Sequence, residues 1–243
     1  MSSSLNFKPP LVLHSTRSDT KDKFPLDIKI FGAHTDKSAI YALRYRAFIE
    51  AGLISPRDDR MFSDAYDELP TTTTICAFNH EKCVGSFRLT FGLGEPGGTT
   101  MPCQTVFPEI GGLKTRGYHT LVEFTRMAVA PELTNTSFRA TLFGTLVRAG
   151  LLIADAGGAD YGLISINPSQ VKFYEMMCGF EEAARAQNYP GINAPAVLLG
   201  RSFRALDARR TARSPFFRIA PQEVANARAL LFSNFTPREA AVA

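Results

Sequence analysis

The chain has no tryptophan among its 243 residues, only four cysteines and four histidines, and no long apolar run. The cysteines lack the paired spacing of a metal site and the density of a disulfide scaffold, and the histidines are too scattered for a metal cluster. No apolar stretch approaches the roughly 20 residues that span a bilayer, and the N-terminus does not resemble a secretory signal. We therefore predict no metal, no permanently bound cofactor, no integral membrane segment, and reduced thiols in a bacterial-type cytoplasm.

The charge balance is mild, with a net charge of +4 and 21% charged residues, while 45% of the residues are hydrophobic. These values are ordinary for a globular protein that can bury a full core. The positive charge is compatible with an acidic partner or substrate. It does not by itself indicate nucleic acid, and we predict no nucleic-acid partner.

Hydrophobic periodicity predicts a mixed order of strands and helices around one central sheet. Residues 1–24 are polar and predict a flexible arm, 25–203 form one α/β domain, and 204–243 form a basic, partly helical extension. The strands are predicted at 27–31, 71–79, 82–92, 121–130, 160–166, 180–185 and 196–203, and the domain's helices at 38–50, 137–156 and 168–177.

The apolar run LVEFTRMAVAP at 121–131 contains two opposite charges, Glu123 and Arg126. Its bulky residues predict a strand that ends at Pro131, which cannot donate to a sheet ladder. Side chains alternate between the faces of a strand, so Glu123 and Arg126 share a face only if a bulge lies between them. A functional site and a structural ion pair are both open readings of this stretch.

Four other charged residues occupy unusual positions. Arg44 lies between two apolar residues on one helical stripe, so it either snorkels at the core edge or faces a cleft. Arg88 lies in mid-strand, where a buried charge needs a partner. Asp64 and Asp67 belong to the loop at 51–70, which is either a solvated acidic loop or, given its length, functional.

These residues lie in motifs with a familiar order: LRYRAF at 43–48, the two aspartates, VGSFRL at 84–89 and VEFTRMAV at 122–129. Over roughly residues 40–130 the sequence resembles the acyl-homoserine lactone synthase family of the GNAT acyltransferase superfamily. The resemblance implies a central mixed, twisted sheet flanked by helices, with a V-shaped opening beside strand 121–130. The polar set of that family falls on Arg44, Phe48, Asp64, Asp67, Arg88, Glu123 and Arg126.

The C-terminal half, residues 166–203, more closely resembles a sister branch, the long-chain N-acyl amino acid synthases. The run from Asn167 to Phe180 is also similar to the superfamily helix whose tyrosine protonates the departing thiol, and Tyr174 occupies that place. The autoinducer synthases carry a tryptophan soon after the position of Phe48, where this chain has Ile54. Recognition of S-adenosylmethionine is therefore not implied.

The donor is implied by a second departure from ordinary acetyltransferases, which cradle the pyrophosphate of coenzyme A on a glycine-rich loop. The segment ELTNTSFRATLFG at 132–144 has no closely spaced glycines. We therefore expect a phosphopantetheine thioester on an acyl carrier protein as the donor, with acyl-coenzyme A possible. A basic stretch is the expected docking surface for this acidic partner, formed by Arg201, Arg204, Arg209, Arg210, Arg213 and Arg218.

Acyl transfer to an amine needs a neutral amine, a held oxyanion and a leaving thiolate. We predict Glu123 as the base through a water, backbone N–H groups at 126–129 as oxyanion donors, and Tyr174 as the acid or a packing residue. Arg44 or Arg88 would pair with the acceptor's carboxylate, Asp64 and Asp67 would orient these arginines or receive the amine, and Phe48 completes the substrate site. An acyl pocket, or alternatively plain core, is predicted at Phe124, Met127, Leu142 and Leu146.

The predicted function is transfer of a fatty acyl chain from an acyl carrier protein to the α-amine of an amino acid. One alternative is an acyl-homoserine lactone synthase that consumes S-adenosylmethionine. A second is a non-catalytic acyl- or carrier-protein-binding module on the same fold. The presence of both aspartates, Arg88, Glu123 and Arg126 argues against the second alternative.

Overall fold

The computed structural model describes residues 11–13, 25–93, 101–203 and 219–234. Within these residues, eight strands form one mixed sheet in the order β1-β2-β3-β4-β5-β6-β8-β7, in which only β5 and β6 pair in parallel. This confirms the α/β class expected from the sequence. The strands are β1 Leu11–Leu13, β2 Asp27–Phe31, β3 Thr72–Asn79, β4 Lys82–Leu93, β5 Thr120–Val129, β6 Tyr161–Ile166, β7 Glu181–Asn188 and β8 Pro195–Ser202.

In the described parts of the chain, four α-helices flank the sheet, and short 3-10 helices lie in the connections. The α-helices are α1 Ser38–Glu50, α2 Thr136–Ala156, α3 Val171–Cys178 and α4 Pro221–Asn234. The 3-10 helices are Ala65–Glu68, Pro102–Thr105, Pro108–Gly112 and Pro168–Gln170. The predicted strands and helices occur in the same order, with ends that differ by at most three residues.

Helix α2 is the core helix of one side of the sheet. Its start is capped by the side chain of Asn135, which accepts the backbone N–H of Phe138 at 2.9 Å. Gly150 leaves room for the ring of Phe87 on β4, because a Cβ there would lie 2.7 Å from that ring. By length and composition α2 could also cross a membrane, but such a test is passed by core helices of soluble domains, and its apolar face packs on this sheet.

The two faces of the central strands differ. Phe87 and Phe124 stack at 5.5 Å between ring centroids on the α2 side. On the opposite side a smaller apolar cluster packs residues 101–113 against Leu121 of β5 and Leu163 of β6. Ladder partners share a face, so Arg88 of β4 lies on this second side together with its β5 partner Thr125.

A bulge interrupts β5 in the stretch where the sequence made one conditional on a shared face for Glu123 and Arg126. Ser86 pairs with Ala128 but Arg88 pairs with Thr125, so β5 contains one extra residue between these pairs. Arg126 has a φ of 55°, in the left-handed region that non-glycine residues seldom adopt. Because the register shift lies between Thr125 and Ala128, Arg126 is itself a bulge residue, and its side chain can turn to the side of the sheet that Glu123 faces.

The ladder between β5 and β6 is short. It ends at the pair formed by Phe124 and Ile164, although β5 continues to Val129 and β6 to Ile166. Beyond this pair β5 is bonded only to β4, and β6 only to β8. The sheet therefore opens beside the bulge, as the resemblance implies.

The structure describes part of each terminal segment. Leu11–Leu13 lies within the expected flexible arm but pairs with β2 as an edge strand, because it continues the antiparallel ladder from Ile28 to Ile30. In the C-terminal extension, α4 packs on α2: Glu223 pairs with Arg148 at 2.8 Å, and Arg228 Nε donates to the carbonyl of Ala156 at 3.2 Å. Of the expected basic docking residues, all but Arg201 lie outside the described residues.

Candidate active site

A buried ion-pair network joins α1, the 3-10 helix Ala65–Glu68 and β4. Arg44 Nη1 lies 2.7 Å from Asp67 Oδ1, and Arg88 Nη1 lies 3.2 Å from the same oxygen. Arg88 Nη1 also lies 2.5 Å from Asp64 Oδ1, and its Nε donates to Thr125 Oγ1 at 3.0 Å. Both arginine side chains are completely buried, so their charges require these partners.

The two aspartates are oriented by the local backbone. Asp64 precedes the 3-10 helix and accepts the N–H of Tyr66 at 3.0 Å, while Asp67 Oδ2 accepts the N–H of Asp64 at 3.0 Å. This reciprocal capping orients both carboxylates through the local backbone, independently of the arginines. The spacing of Asp64 and Asp67 by three residues is therefore explained by the turn that they cap.

Arg126 extends the network to the edge of the bulge. Its Nη2 lies 2.6 Å from Asp64 Oδ2, and its guanidinium lies 4.5 Å from the centroid of the Phe62 ring. Its side chain keeps 11% exposure, whereas those of Arg44 and Arg88 keep none. Arg126 is thus the arginine of this network that can meet a ligand without opening the ion pairs.

Glu123 is fully buried beside this network. Its Oε2 accepts the backbone N–H of Cys103 at 2.9 Å, and its Oε1 accepts the hydroxyls of Ser165 at 3.2 Å and of Tyr189 at 3.5 Å. Burial raises the pKa of Glu123; the hydrogen bonds from Cys103, the charge of Arg88 and the bond from Ser165 only partly offset it. A carboxylate with a raised pKa is a better proton acceptor at neutral pH.

The aspartates titrate in the opposite direction. Burial acts to raise the pKa of Asp64, but the ion pairs with Arg88 and Arg126 outweigh it and hold this pKa at about 2. The pKa of Asp67 is also lowered, because Arg44 and Arg88 together outweigh its burial. Glu123 is therefore the carboxyl group of this site that is suited to accept a proton.

A cavity of about 680 Å³ opens next to Arg126. Its walls come from the segment after α1, the 3-10 helix Pro102–Thr105, the β5 bulge and the loop between β7 and β8. The backbone N–H of Asn193 donates to the carbonyl of Leu53 at 2.8 Å and joins two of these walls. The lining residues are Ile54, Ser55, Pro56, Arg57, Phe62, Ser63, Asp64, Tyr66, Pro102, Thr105, Arg126, Tyr189, Pro190, Gly191, Ile192 and Asn193.

Of the predicted substrate-binding residues, Asp64 lines this cavity directly. Phe48 lies behind Phe62, at 5.0 Å between ring centroids. The side chains of Arg44 and Arg88 are buried and both form ion pairs with the buried Asp67. These three residues therefore lie behind the cavity wall. Direct contact of Arg44 or Arg88 with a substrate stays a prediction, and it would require the network to open.

The remaining predicted residues lie on the α2 side of the sheet. Tyr174 packs with Phe143 and Phe173, and burial raises its pKa to about 12. Leu142 and Leu146 are fully buried and Phe124 is 5% exposed, while Met127 is half-buried against the same core. None of these residues lines the cavity described above. Their roles as acid and acyl pocket stay predictions.

Sequence reasoning missed three partners of Glu123. Cys103 contributes its backbone N–H and also its thiol, but nothing in the sequence around Cys103 marks this contact. Ser165 is a hydroxyl residue inside the buried strand pattern YGLISI, and this polar interruption is a usable signal. Tyr189 precedes the Pro-Gly turn between the last two strands and carries no local sign of a contact with Glu123.

The chain matches one protein-family model, described as "N-acyl amino acid synthase FeeM", over residues 39–202. The chain belongs to this family. The match includes every residue of the ion-pair network as well as Glu123, Ser165 and Tyr189, and it makes the chain an acyltransferase. The comparison with curated protein sequences found no significant match.

Several solved structures share the fold of this chain. FeeM, an N-acyl amino acid synthase from uncultured soil microbes, is 22% identical, with a TM-score of 0.58 over 75% of this chain and 93% of that one. BjaI, a coenzyme A-dependent acyl-homoserine lactone synthase, is 17% identical, with a TM-score of 0.51 over 79% and 90%. An acyl-CoA N-acyltransferase from Pseudomonas aeruginosa is 17% identical, with a TM-score of 0.50 over 73% and 99%. The chain therefore has the GNAT-like fold.

Proposed function

We propose that this acyltransferase moves a fatty acyl chain from an acyl carrier protein thioester to the α-amine of an amino acid. The observation that carries the proposal is the position of Glu123, a buried carboxyl group with a raised pKa. It contacts Tyr189 on the wall of a cavity that Arg126 also lines. Membership of the N-acyl amino acid synthase family supports the reaction class.

The amine must lose a proton before or during attack on the thioester, because an α-amino group with a pKa of about 8 is largely protonated at pH 7. Glu123 is the proton acceptor in this proposal. Asp64 and Asp67 remain ionised, since their pKa values are lowered by arginines. In this arrangement they position Arg88 and Arg126 and do not take the proton.

The oxyanion of the tetrahedral intermediate needs preorganised donors. Arg126 and Met127 have no paired residue in β4, because the bulge removes them from the ladder. Their backbone N–H groups lie where β5 and β6 separate, so they are the candidate oxyanion donors. The acyl thioester would enter through this separation.

The cavity has the composition expected for an amino acid acceptor. Two arginines, Arg57 and Arg126, line it and can pair with a carboxylate. Apolar side chains such as Ile54, Phe62 and Ile192 are available for the acceptor's own side chain. We therefore assign the carboxylate to Arg57 and Arg126, and the buried Arg44 and Arg88 to holding the aspartates.

The acyl carrier protein is proposed as donor because α2 starts at an asparagine cap and has no glycine-rich approach to its first turn. A pyrophosphate-binding loop would favour coenzyme A. Docking of an acidic carrier protein should weaken as salt rises, whereas coenzyme A should be less affected. A cytoplasmic location is part of the proposal, supported by four cysteines that are free and buried.

The test is mass spectrometry of lipid extracts from bacteria that express the chain, followed by assays with purified protein. We expect N-acyl amino acids in the extract, and faster product formation from acyl carrier protein than from acyl-coenzyme A at low salt. Release of methylthioadenosine from S-adenosylmethionine would instead identify a homoserine lactone synthase. Absence of any acylated product would contradict the proposal and favour a binding module.

A further inference from the structure

Tyr189 connects the buried carboxylate to the cavity. Glu123 is fully buried and is not among the cavity's lining residues, whereas Tyr189 lines the cavity and its hydroxyl lies 3.5 Å from Glu123 Oε1. We propose that Tyr189 is a catalytic residue that relays the acceptor's amine proton to Glu123. This inference rests on the proposed function and names a residue that acts between its substrate and its base.

The relay moves two protons and leaves no charge on the tyrosine. Before attack, one N–H proton of the acceptor's ammonium group passes to Tyr189 Oη. The tyrosine's own O–H proton passes to Glu123 Oε1, and the carboxylate becomes a carboxylic acid. The neutral amine then bonds to the thioester carbon, the C–S bond breaks, and the second amine proton leaves with the thiolate as a thiol. Burial, followed by the charge of Glu123, raises the pKa of Tyr189, so a free phenolate is unfavourable and the two transfers are expected to be concerted.

The contact of 3.5 Å is long for an O–H···O hydrogen bond. Catalytic hydrogen bonds are often long without substrate and shorten when the reacting complex forms. The Tyr189 backbone is restrained for this role: its carbonyl accepts the N–H of Ile192 at 3.2 Å, and the loop is tied to Leu53 through Asn193. The tyrosine therefore needs only a small displacement to reach Glu123.

Ser165 is the competing hydroxyl, because it donates to the same oxygen at 3.2 Å. It lies on β6 beyond the last β5–β6 pair and is not a lining residue of the cavity. An amine in the cavity is therefore expected to pass its proton to Tyr189 and not to Ser165. Ser165 is expected to position the carboxylate, and Ser165→Ala should cost less turnover than Tyr189→Phe.

The test compares Tyr189→Phe with wild type, using the acceptor that the wild-type protein acylates. The variant keeps the ring and loses the hydroxyl. We expect kcat to fall about 10²-fold near neutral pH, with little change in the acceptor's KM, and the loss to shrink as rising pH deprotonates the amine. The ionisable groups that influence Tyr189 are Glu123, Cys103, Arg126 and Arg88, so pH profiles of wild type and variant must be recorded together.

A double variant provides the sharper result. Residues that act in one relay are not additive, so Glu123→Gln with Tyr189→Phe should be as slow as Glu123→Gln alone. If Tyr189 only shapes the cavity, the two losses will multiply and KM will rise, which contradicts the relay. Tyr161→Phe is the control. This variant removes a β6 hydroxyl that lies near Gly200 and away from Glu123. Its turnover should therefore match that of wild type.

Two outcomes remain distinct from each other. If wild type forms no N-acyl amino acid, the proposed function fails before the variants are compared. If wild type forms it and Tyr189→Phe keeps the wild-type kcat at all pH values, the proposed function stands and the relay is wrong. If the single variant does not fold, a proton inventory on wild type decides: a linear dependence of kcat on deuterium fraction, meaning one proton in flight, overturns the relay.

Discussion

The two faces of β5 belong to the same strand but are built for different purposes. On the α2 side, Val122 and Phe124 join an apolar core in which ring stacking and burial provide stability. On the other side, Glu123 and Thr125 lie beside buried charges that are satisfied by specific partners. Apolar contacts are non-directional, whereas each charge on the second face depends on one or two atoms. We therefore expect substitutions on the first face to alter stability and substitutions on the second to alter chemistry as well.

Glu123→Gln, on the polar face of β5, is expected to have the largest effect on turnover. The variant keeps shape and hydrogen bonding but loses basicity, so kcat should fall about 10²–10⁴-fold near neutral pH. The loss should shrink at high pH, where the amine deprotonates unaided. Steady-state pH–rate profiles of variant and wild type measure this. A wild-type profile would exclude Glu123 as the base.

The same variant should also change how the stability of the protein depends on pH. The folded-state pKa of Glu123 is raised, so the folded protein holds this proton more tightly than the unfolded chain does. The contribution of protonated Glu123 is complete below the ordinary glutamate pKa and is lost as pH rises through the raised pKa. Glutamine removes this decline. Thermal melts over pH should therefore be flatter for the variant than for wild type.

Arg88→Ala is expected to have the next largest effect, and it acts on both stability and activity. Removing this guanidinium leaves Asp64 and Asp67 with fewer partners in a buried site. Loss of one member of a buried ion pair costs about 3–5 kcal/mol of unfolding free energy. Urea denaturation measures the loss, and turnover per folded molecule should also fall. If the unfolding free energy and the turnover both stay unchanged, Arg88 supports neither the fold nor the site.

Leu146→Ala tests the apolar face. Leu146 is fully buried beside Gly85, so truncation should cost about 2–5 kcal/mol of unfolding free energy. Turnover per folded molecule should stay near wild type. The acyl chain-length preference, measured by mass spectrometry with mixed donors, decides whether Leu146 also lines an acyl pocket. A shift to longer chains would assign it to the pocket, and no shift would leave it as core.

The smallest expected effect is that of Lys82→Ala, the control for Arg88→Ala. Lys82 pairs with Glu132 at 2.6 Å, but both side chains are largely in solvent. Exposed ion pairs contribute about 0–1 kcal/mol. The urea midpoint should therefore barely move, and turnover should not. A loss as large as that of Arg88→Ala would mean that burial does not explain the importance of the network.

Much of the fold follows from local patterns. The alternation in DIKIF and the apolar stripe of α2 with its asparagine cap are visible over a few residues, because strand and helix periods are local properties. For β5 the sequence set only a condition: Glu123 and Arg126 share a face if a bulge lies between them, and the ladder to β4 shows that bulge. The edge strand Leu11–Leu13 was not predictable, because a three-residue strand exists only through its ladder to β2.

The sequence by itself determined the order of strands and helices, the family, and the set of charged residues that form the network. Only the tertiary structure decided which of those charges face the cavity. Arg44, Arg88 and Arg126 look equivalent in the sequence, yet the first two are sealed behind ion pairs and the third is accessible. The contact between Tyr189 and Glu123 likewise joins residues 66 positions apart. No local pattern encodes such contacts, because they form only when the sheet and the loop between β7 and β8 assemble.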